Sequence, residues 1–344
     1  MLGLAALGAA ATVATAAAAR RRRAERLRGK TVVITGSSRG LGLALAEEFG
    51  RQGARIVLTA RDADELSRAH QLLLDIDAVA GTQDTLVIPA DLRRQEDVEQ
   101  LMLRVTEAWG PVDLLVNNAG IITVGPVENH SAQDFRDVMD SNFFTALNCT
   151  LSALPAMLKR GTGTIVNITS IGGKLAVPHL LPYTASKFAA VGFSEGLHAE
   201  MRSKGIHVLT VCPGLMRTGS HLNAVFNGNA EREYRWFSLG ATMPGVSAST
   251  RSAARRIVRA VLARETEIFI TPQAELAGRL APLAPGVTAM AMSLVNRALP
   301  DPVAEPTQPK RGAEVRAHEP ALASVLGWNA ARRYNEVDAA AETR

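Results

Sequence analysis

Tyr183 and Lys187 stand four residues apart in the run Pro182-Tyr-Thr-Ala-Ser-Lys187. On a helix such positions lie one above the other, so the ammonium would sit beside the phenol. A neighbouring cation favours the ionised phenol and draws its pKa down from about 10 toward the range of a working proton donor. A lone Tyr-x-x-x-Lys is more often a solvated pair on a helix face, and it is the company that changes the reading. Ser170 ends the apolar run Thr164-Ile-Val-Asn-Ile-Thr169, and Gly172-Gly173 follow it. A hydroxyl at a strand's C-terminal end and a phenol at the start of the next helix both face the crevice where open parallel α/β sheets bind ligands. These residue types at these positions prepare general-acid chemistry.

The elements that must position them follow from the hydrophobic pattern. Thr31-Val-Val-Ile-Thr35 is a β-branched run that breaks into Gly36-Ser-Ser-Arg39-Gly40-Leu-Gly42 and opens a helix through Gln52. Glycines let the backbone turn tightly and approach a pyrophosphate, whose charge is favoured at a helix N-terminus. The spacing is G-x-x-x-G-x-G, and no G-K-[ST] makes a triphosphatase loop. Strand-like runs then recur at Arg55 to Ala60, Thr85 to Ala90, Val112 to Asn117, Gly163 to Thr169, His207 to Cys212 and Glu267 to Ile270. Helical segments fill the gaps, one opening with the capping-box pattern Ser131-Ala-Gln-Asp134. Continuous apolar strands are those buried on both faces. The pattern predicts an α/β protein with a Rossmann-like doubly wound parallel sheet, a single domain over residues 29–271 carrying an N-terminal apolar segment and a C-terminal extension.

Taken together these motifs resemble the short-chain dehydrogenase/reductase family over roughly Lys30 to Ile270. The family's T-G-x-x-x-G-x-G loop corresponds to Thr35 to Gly42, its N-N-A-G to Asn117-Asn118-Ala119-Gly120, and its P-G-x-x-x-T to Pro213-Gly214 and Thr218. Ser170 lies thirteen residues ahead of Tyr183, as the family usually has it. The resemblance implies hydride transfer between a nicotinamide and a carbonyl or alcohol, with a tetrad of Asn142, Ser170, Tyr183 and Lys187. Tyr183 would be the general acid and Ser170 would polarise the substrate oxygen. Lys187 would tune the tyrosine and hold the nicotinamide ribose, and Asn142 would position a relay water. It also implies a cofactor-binding set of Gly36, Ser38, Arg39, Gly40, Leu41, Gly42, Arg61, Asp91, Leu92, Asn118, Ala119, Gly120, Tyr183, Lys187, Pro213, Gly214 and Thr218. Asp91-Leu92 matches the pair that contacts adenine, and Thr218 the threonine that meets the nicotinamide carboxamide.

Charge bears on the choice of dinucleotide. NAD enzymes place a carboxylate at the end of the second strand, where it accepts from the ribose 2′-hydroxyl. Here that strand ends Leu58-Thr-Ala-Arg61, and Arg39 sits in the glycine loop. Two arginines favour NADP(H), because a guanidinium matches a phosphate in bidentate geometry; NAD(H) stays open because Asp62 follows immediately. Asp62 reads as the N-cap of the next helix.

Composition bounds the rest. Of 344 residues 47% are hydrophobic, enough for a large core, and 4% aromatic, too few for platforms that stack single-stranded bases. The net charge of +5 is concentrated: Arg20 to Lys30 carry seven basic side chains against one acidic, leaving 31 against 32 in the remainder. The body is near neutral, so the basic balance says little about nucleic acid, and no nucleic-acid partner is expected. Cys149 and Cys212 form no metal pair and no disulfide framework; both sit in apolar runs and read as buried and inert.

Met1 to Ala19 is an uncharged, Ala-rich apolar run followed by four arginines. As a helix it would be about 28 Å long, which predicts an N-terminal membrane anchor over residues 1–28 with the body on the cytoplasmic side, against a surface-lying or disordered terminus in an otherwise cytoplasmic protein. Residues 215–250 are rich in large apolar side chains and read as a substrate lid, suited to a lipophilic substrate or to packing on its own core or on a second subunit. The apolar stretch 272–299, broken by Pro282 and Pro285, reads as a monotopic hairpin or a dimer-packing helix, and 300–344 as a Pro-rich linker and tail with one short helix around Trp328. Two functions follow: an NADP-preferring oxidoreductase acting on a lipophilic ketone, aldehyde or alcohol, commonly a homo-oligomer in this family, or a non-enzymatic NADP-binding redox sensor or scaffold. An intact tetrad favours the first.

Overall fold

The structure, a computed structural model, describes residues 27–243, 245–305, 307–318, 328 and 330–337. Its centre is a sheet of seven parallel strands: β1 (Thr31–Thr35), β2 (Arg55–Thr59), β3 (Thr85–Val87), β4 (Leu114–Asn117), β5 (Gly163–Ile168), β6 (Ile206–Cys212) and β7 (Glu267–Phe269). Their spatial order is β7-β6-β5-β4-β1-β2-β3. The order reverses beside β1, between β2 and β4, and a crevice opens there at the carboxyl ends of the strands. The glycine loop after β1 and the Asn-Asn-Ala-Gly run after β4 therefore meet.

Alternate residues of each strand enter opposite layers. Val32 and Ile34 join one core with α1 (Gly40–Gly50), α2 (Ala63–Asp75) and α8 (Thr250–Ala263); Val33 joins the other with α3 (Gln95–Trp109) and α5 (Thr145–Arg160). The strands have no exposed face, which is why they read as continuous apolar runs. Asp62 caps α2 by accepting from the Glu65 amide at 2.8 Å, and Ser131 and Asp134 close a full capping box on α4 (Ala132–Met139). Cys149 on α5 and Cys212 at the end of β6 are both free thiols with no exposed surface, pushed by burial up to about 12 and about 11.

One exception to the apolar interior runs across the sheet. Asn117 Nδ2 donates to Asn167 Oδ1 at 2.8 Å, Asn167 Nδ2 donates to Ser194 Oγ at 2.9 Å, and Ser194 meets Thr210 Oγ1 at 2.7 Å. This ladder joins β4, β5 and β6 to α6 (Leu181–Met201), the helix that carries Tyr183 and Lys187.

The segment 215–250 takes part in a small subdomain with its own core. It contains a short strand, Val225–Phe226, flanked by Thr123–Val124 and by Lys310–Arg311 of the tail, and the helix α7 (Ala230–Thr242). Phe226, Tyr234 and Phe237 are buried in this subdomain's own core, together with Val315 and Ala331. Of the readings open for the lid, packing on itself therefore describes its aromatic side chains. Leu215, Leu239, Met243 and Val246 stay exposed.

The expected membrane location needs correcting. No helix among the described residues is long and apolar enough to cross a membrane. The stretch 272–299 divides into α9 (Pro272–Leu280) and α10 (Pro285–Asn296), of nine and twelve residues, separated by the turn Ala281–Leu283 at Pro282. About 20 residues are needed to span a bilayer, and Pro285 prevents the two from fusing into one helix. The first 26 residues, which hold nearly all of the expected N-terminal anchor, lie outside the described residues.

Candidate active site

The site is assembled where β5 ends and α6 begins. Ser170 leaves β5 with extended backbone, and its Oγ accepts from the Gly172 amide at 2.9 Å. This fixes the rotamer and leaves the hydroxyl beside the Tyr183 ring: a Cβ on Gly172 would lie 3.3 Å from both Ser170 Oγ and Tyr183 Cε1. One turn further along α6, Lys187 is 5% exposed, with its Nζ 5.7 Å from the Tyr183 ring centroid and donating to the Ile168 carbonyl at 3.0 Å.

Burial reverses one expectation. The Tyr183 phenol is pushed up from its ordinary value by burial, opposed by the Ser170 hydrogen bond, and Lys187 is itself drawn down to about 8 by burial. In this desolvated crevice, removing water from a charge outweighs the neighbour effect read from the i, i+4 spacing. Tyr183 is thus a neutral O–H at physiological pH, the form an acid must have before it acts.

Asn142 lies in a π turn, Asp140–Phe144, set between α4 and α5. The wide turn swings its side chain inward: Oδ1 accepts from the Ile121 amide at 2.7 Å, and Nδ2 donates to the Ile121 carbonyl at 3.0 Å and to Ser186 Oγ at 2.9 Å. Gly120 sits between this side chain and Lys187; a Cβ there would lie 2.9 Å from Asn142 Oδ1 and 3.8 Å from Lys187 Nζ. The four expected tetrad residues thus share one crevice.

The glycine loop is shaped for close backbone approach. Gly36 has φ +62°, and a Cβ on it would lie 2.9 Å from Ala119 Cα; one on Gly42 would lie 2.2 Å from the Gly36 carbonyl oxygen. Thr35 Oγ1 accepts from the amides of Asn118 and Ala119, both at 2.9 Å, and Asn118 Nδ2 donates to the carbonyls of Thr35 and Gly36 at 3.0 Å. Asn118 and Ala119 therefore brace the loop. Gly40 and Leu41 open α1, which has no acidic residue in its first turn. A loop that tolerates no Cβ and delivers a helix N-terminus suits the phosphates of a dinucleotide.

The remaining expected contacts ring this centre. The Pro213 carbonyl accepts from the Ile171 amide at 2.8 Å, tying the Pro213-Gly214 turn to the Ser170 loop, and Thr218 is buried with its Oγ1 accepting from the Ser220 amide at 3.1 Å. Asp91 is clamped by Arg93, which donates to both carboxylate oxygens and holds its pKa low; Arg61, exposed nearby, adds to that effect, and Leu92 is buried beside it. Arg39 pairs with Glu65 at 2.5 Å and with Glu336 at 3.6 Å, and Ser38 Oγ donates to the same Glu65 at 2.9 Å.

Several residues escaped the sequence reading. His179, buried with φ 60°, meets both Glu233 carboxylate oxygens at 2.9 and 3.0 Å, and Trp236 Nε1 donates to that carboxylate at 2.6 Å. This cluster pins α7 to the loop just ahead of Tyr183. Asn167, a polar side chain inside an apolar strand, was the visible signal for the buried ladder. Nothing local marks Asn223, Asn335 or Glu336.

Comparison with known proteins agrees with this geometry. The short chain dehydrogenase family model matches residues 30–225. A dehydrogenase/reductase SDR family protein 7-like from Anopheles gambiae is 36% identical over 265 residues, 77% of this chain and 82% of its own length. Ketoacyl reductase HetN from Nostoc sp. is 30% identical over 245 residues, 71% of this chain and 79% of its own. Among solved structures, a short-chain dehydrogenase/reductase from Burkholderia phymatum in complex with NAD superposes with a TM-score of 0.67 at 26% identity, covering 81% of this chain and 99% of the other. The fold and site define a dinucleotide-binding oxidoreductase of the doubly wound α/β type. This chain belongs to the short-chain dehydrogenase/reductase family.

Proposed function

We propose that the protein is an NADP(H)-preferring carbonyl reductase, or the same enzyme run as an alcohol dehydrogenase, acting on a lipophilic ketone or aldehyde. The observation that carries this is the juxtaposition of the Ser170 hydroxyl, the Tyr183 ring and the buried Lys187 ammonium, with Ser170 and Tyr183 both against Gly172 and Lys187 Nζ 5.7 Å from the ring centroid. A bound reduced nicotinamide supplies the hydride to the carbonyl carbon. Tyr183 gives its proton to the carbonyl oxygen, and Ser170 donates a hydrogen bond that orients and polarises that oxygen. Lys187 stabilises the tyrosinate left behind, and Asn142, anchored on Ile121, positions the water that returns a proton. A pure binding protein, the rival sensor or scaffold reading, has no use for this phenol.

The arginine pair supports NADP(H). Asp62 is engaged in capping α2, while Arg39 follows the carboxyl end of β1 and the exposed Arg61 the carboxyl end of β2. Support for NAD(H) comes from the Burkholderia relative, which binds NAD, and from Glu65 beside Ser38 and Arg39. Exposed Leu215, Leu239, Met243 and Val246 support a lipophilic substrate, as does the likeness to a ketoacyl reductase. The exposed apolar side chains Leu283, Val287 and Met290 along α9–α10 fit the same reading in a homo-oligomer, testable by sedimentation.

The test is NADPH oxidation by the purified protein against a panel of apolar ketones and aldehydes, repeated with Tyr183→Phe. Turnover should be lost in the variant while dinucleotide binding persists, since the change removes a proton donor and almost no volume. Wild-type turnover by Tyr183→Phe would refute the acid assignment.

A further inference from the structure

We propose that the C-terminal segment Ala330–Val337 is a built-in competitor of the dinucleotide, with the Glu336 carboxylate holding the place of the cofactor's phosphates in the glycine loop. The proposal rests on the dinucleotide reading of that loop and adds a regulator to it.

Three contacts place the segment there. The Gly40 amide, one of the unpaired donors at the start of α1, donates to the Tyr334 carbonyl at 2.8 Å. Asn335 Nδ2 donates to the carbonyls of Ser38 at 2.9 Å and Glu65 at 3.0 Å, filling the turn between β1 and α1. The Glu336 side chain, 4% exposed, lies against Gly40 so closely that a Cβ there would run into its carboxylate. That carboxylate accepts from Asn223 Nδ2 at 2.6 Å and faces Arg39 Nε at 3.6 Å.

The opposite wall is the loop after Thr218. At Gly219, φ +87°, a Cβ would lie 2.8 Å from that of Ala331 and 3.1 Å from Glu336 Cγ. A single carboxylate therefore bridges the glycine loop and the Thr218 loop, the two walls between which an extended dinucleotide would lie. The segment occupies a helix N-terminal amide through the Tyr334 carbonyl and sets the Glu336 carboxylate against Arg39, and a helix N-terminus and an arginine are the elements that attract a phosphate. A phosphate and this side chain cannot share that space.

The segment is seated firmly enough to compete. Ala331 is fully buried in the lid core and Tyr334 in the main core, while Arg333 faces Glu47 at 3.6 Å. Its carboxylate is poorly solvated, and burial pushes Glu336 up to about 7 against the pull of Arg39. A diphosphate brings more acceptors to the N-terminus of α1 than the single Tyr334 carbonyl does, so cofactor can expel the segment. The apparent affinity for cofactor is then the intrinsic affinity reduced by the fraction of chains with the segment released.

The full-length protein and its Asn335→Ala/Glu336→Ala variant should be titrated calorimetrically with NADPH and with NADH. The variant should bind both on the order of tenfold more tightly, by the loss of the competing state. Equal or weaker binding by a variant with native thermal unfolding overturns the proposal, and no binding of either dinucleotide by either protein sinks the underlying dinucleotide reading as well. A second measurement uses the unaltered chain: saturating NADPH should speed tryptic cleavage after Arg332 and Arg333 several-fold. Protection by NADPH would instead make the segment a cover that closes over bound cofactor, and would equally overturn the proposal.

Discussion

Lys187 illustrates how a functional side chain works against the fold that holds it. Its folded pKa of about 8, against an ordinary 10.5, means that below pH 8 the folded state carries the whole cost of a buried charge, about 3 kcal/mol. Between pH 8 and 10.5 the folded protein loses this proton before the unfolded chain does, so that cost is relieved as pH rises. Lys187→Met should therefore abolish turnover yet stabilise the protein at pH 7 by roughly 1 to 2 kcal/mol, after allowing for the Ile168 carbonyl left unpaired. Urea unfolding should show that advantage shrinking toward pH 10. Arg39 and Arg61 give a second residue-scale prediction. If both meet a 2′-phosphate, Arg39→Ala/Arg61→Ala should weaken NADPH by about tenfold or more per contact, and leave NADH nearly unchanged. Equal losses for the two dinucleotides would assign the site to Glu65 or Asp62 instead.

At the level of elements, the strands and the glycine loop were legible because their signals are local: β-branched runs, glycines at fixed spacing, a cap at Asp62. The readings made from Tyr-x-x-x-Lys located the pair, whereas its electrostatics turned on depth of burial, which spacing does not encode. Asn142 was placed by motif alone, and its π turn, which is what aims the side chain, has no sequence signature of its own. The ladder from Asn117 through Asn167 to Ser194 and Thr210 was missed because its members lie far apart in the chain. It ties α6 to the sheet through hydrogen bonds that water cannot replace. Asn167→Leu should leave the Asn117 amide and Ser194 hydroxyl short of partners and destabilise the protein by roughly 2 to 4 kcal/mol in urea unfolding. It should also reduce turnover more than dinucleotide binding, since the Tyr183 helix is what shifts.

For the molecule as a whole, the tail carries the largest difference between sequence and structure. Residues 300–344 read as a linker because prolines and charges dominate them, yet Lys310–Arg311 pairs with the lid strand and Glu336 reaches the first loop of the sheet. Contacts between residues nearly 300 apart leave no periodic trace. Glu336 faces Arg39 and Asn223, with Glu65 as the nearby like charge. Because its docked pKa of about 7 lies above the ordinary 4.5, docking is favoured by the proton and weakens as pH rises from about 4.5 through 7. NADH, whose diphosphate does not titrate there, should bind more tightly at pH 7.5 than at pH 5.5, and Glu336→Gln should flatten that dependence. The two cysteines supply a different kind of readout. A thiol reacts as its thiolate, and neither Cys149 nor Cys212 presents one to solvent while the fold is closed. Alkylation in native buffer must therefore wait for an opening, and the two waits differ. Cys149 lies in the deep core beside Met157, whereas Cys212 packs with Phe269 and Ala274 at the foot of α9. The slower thiol times the breathing of the whole protein, and the faster one the lifting of a single helix.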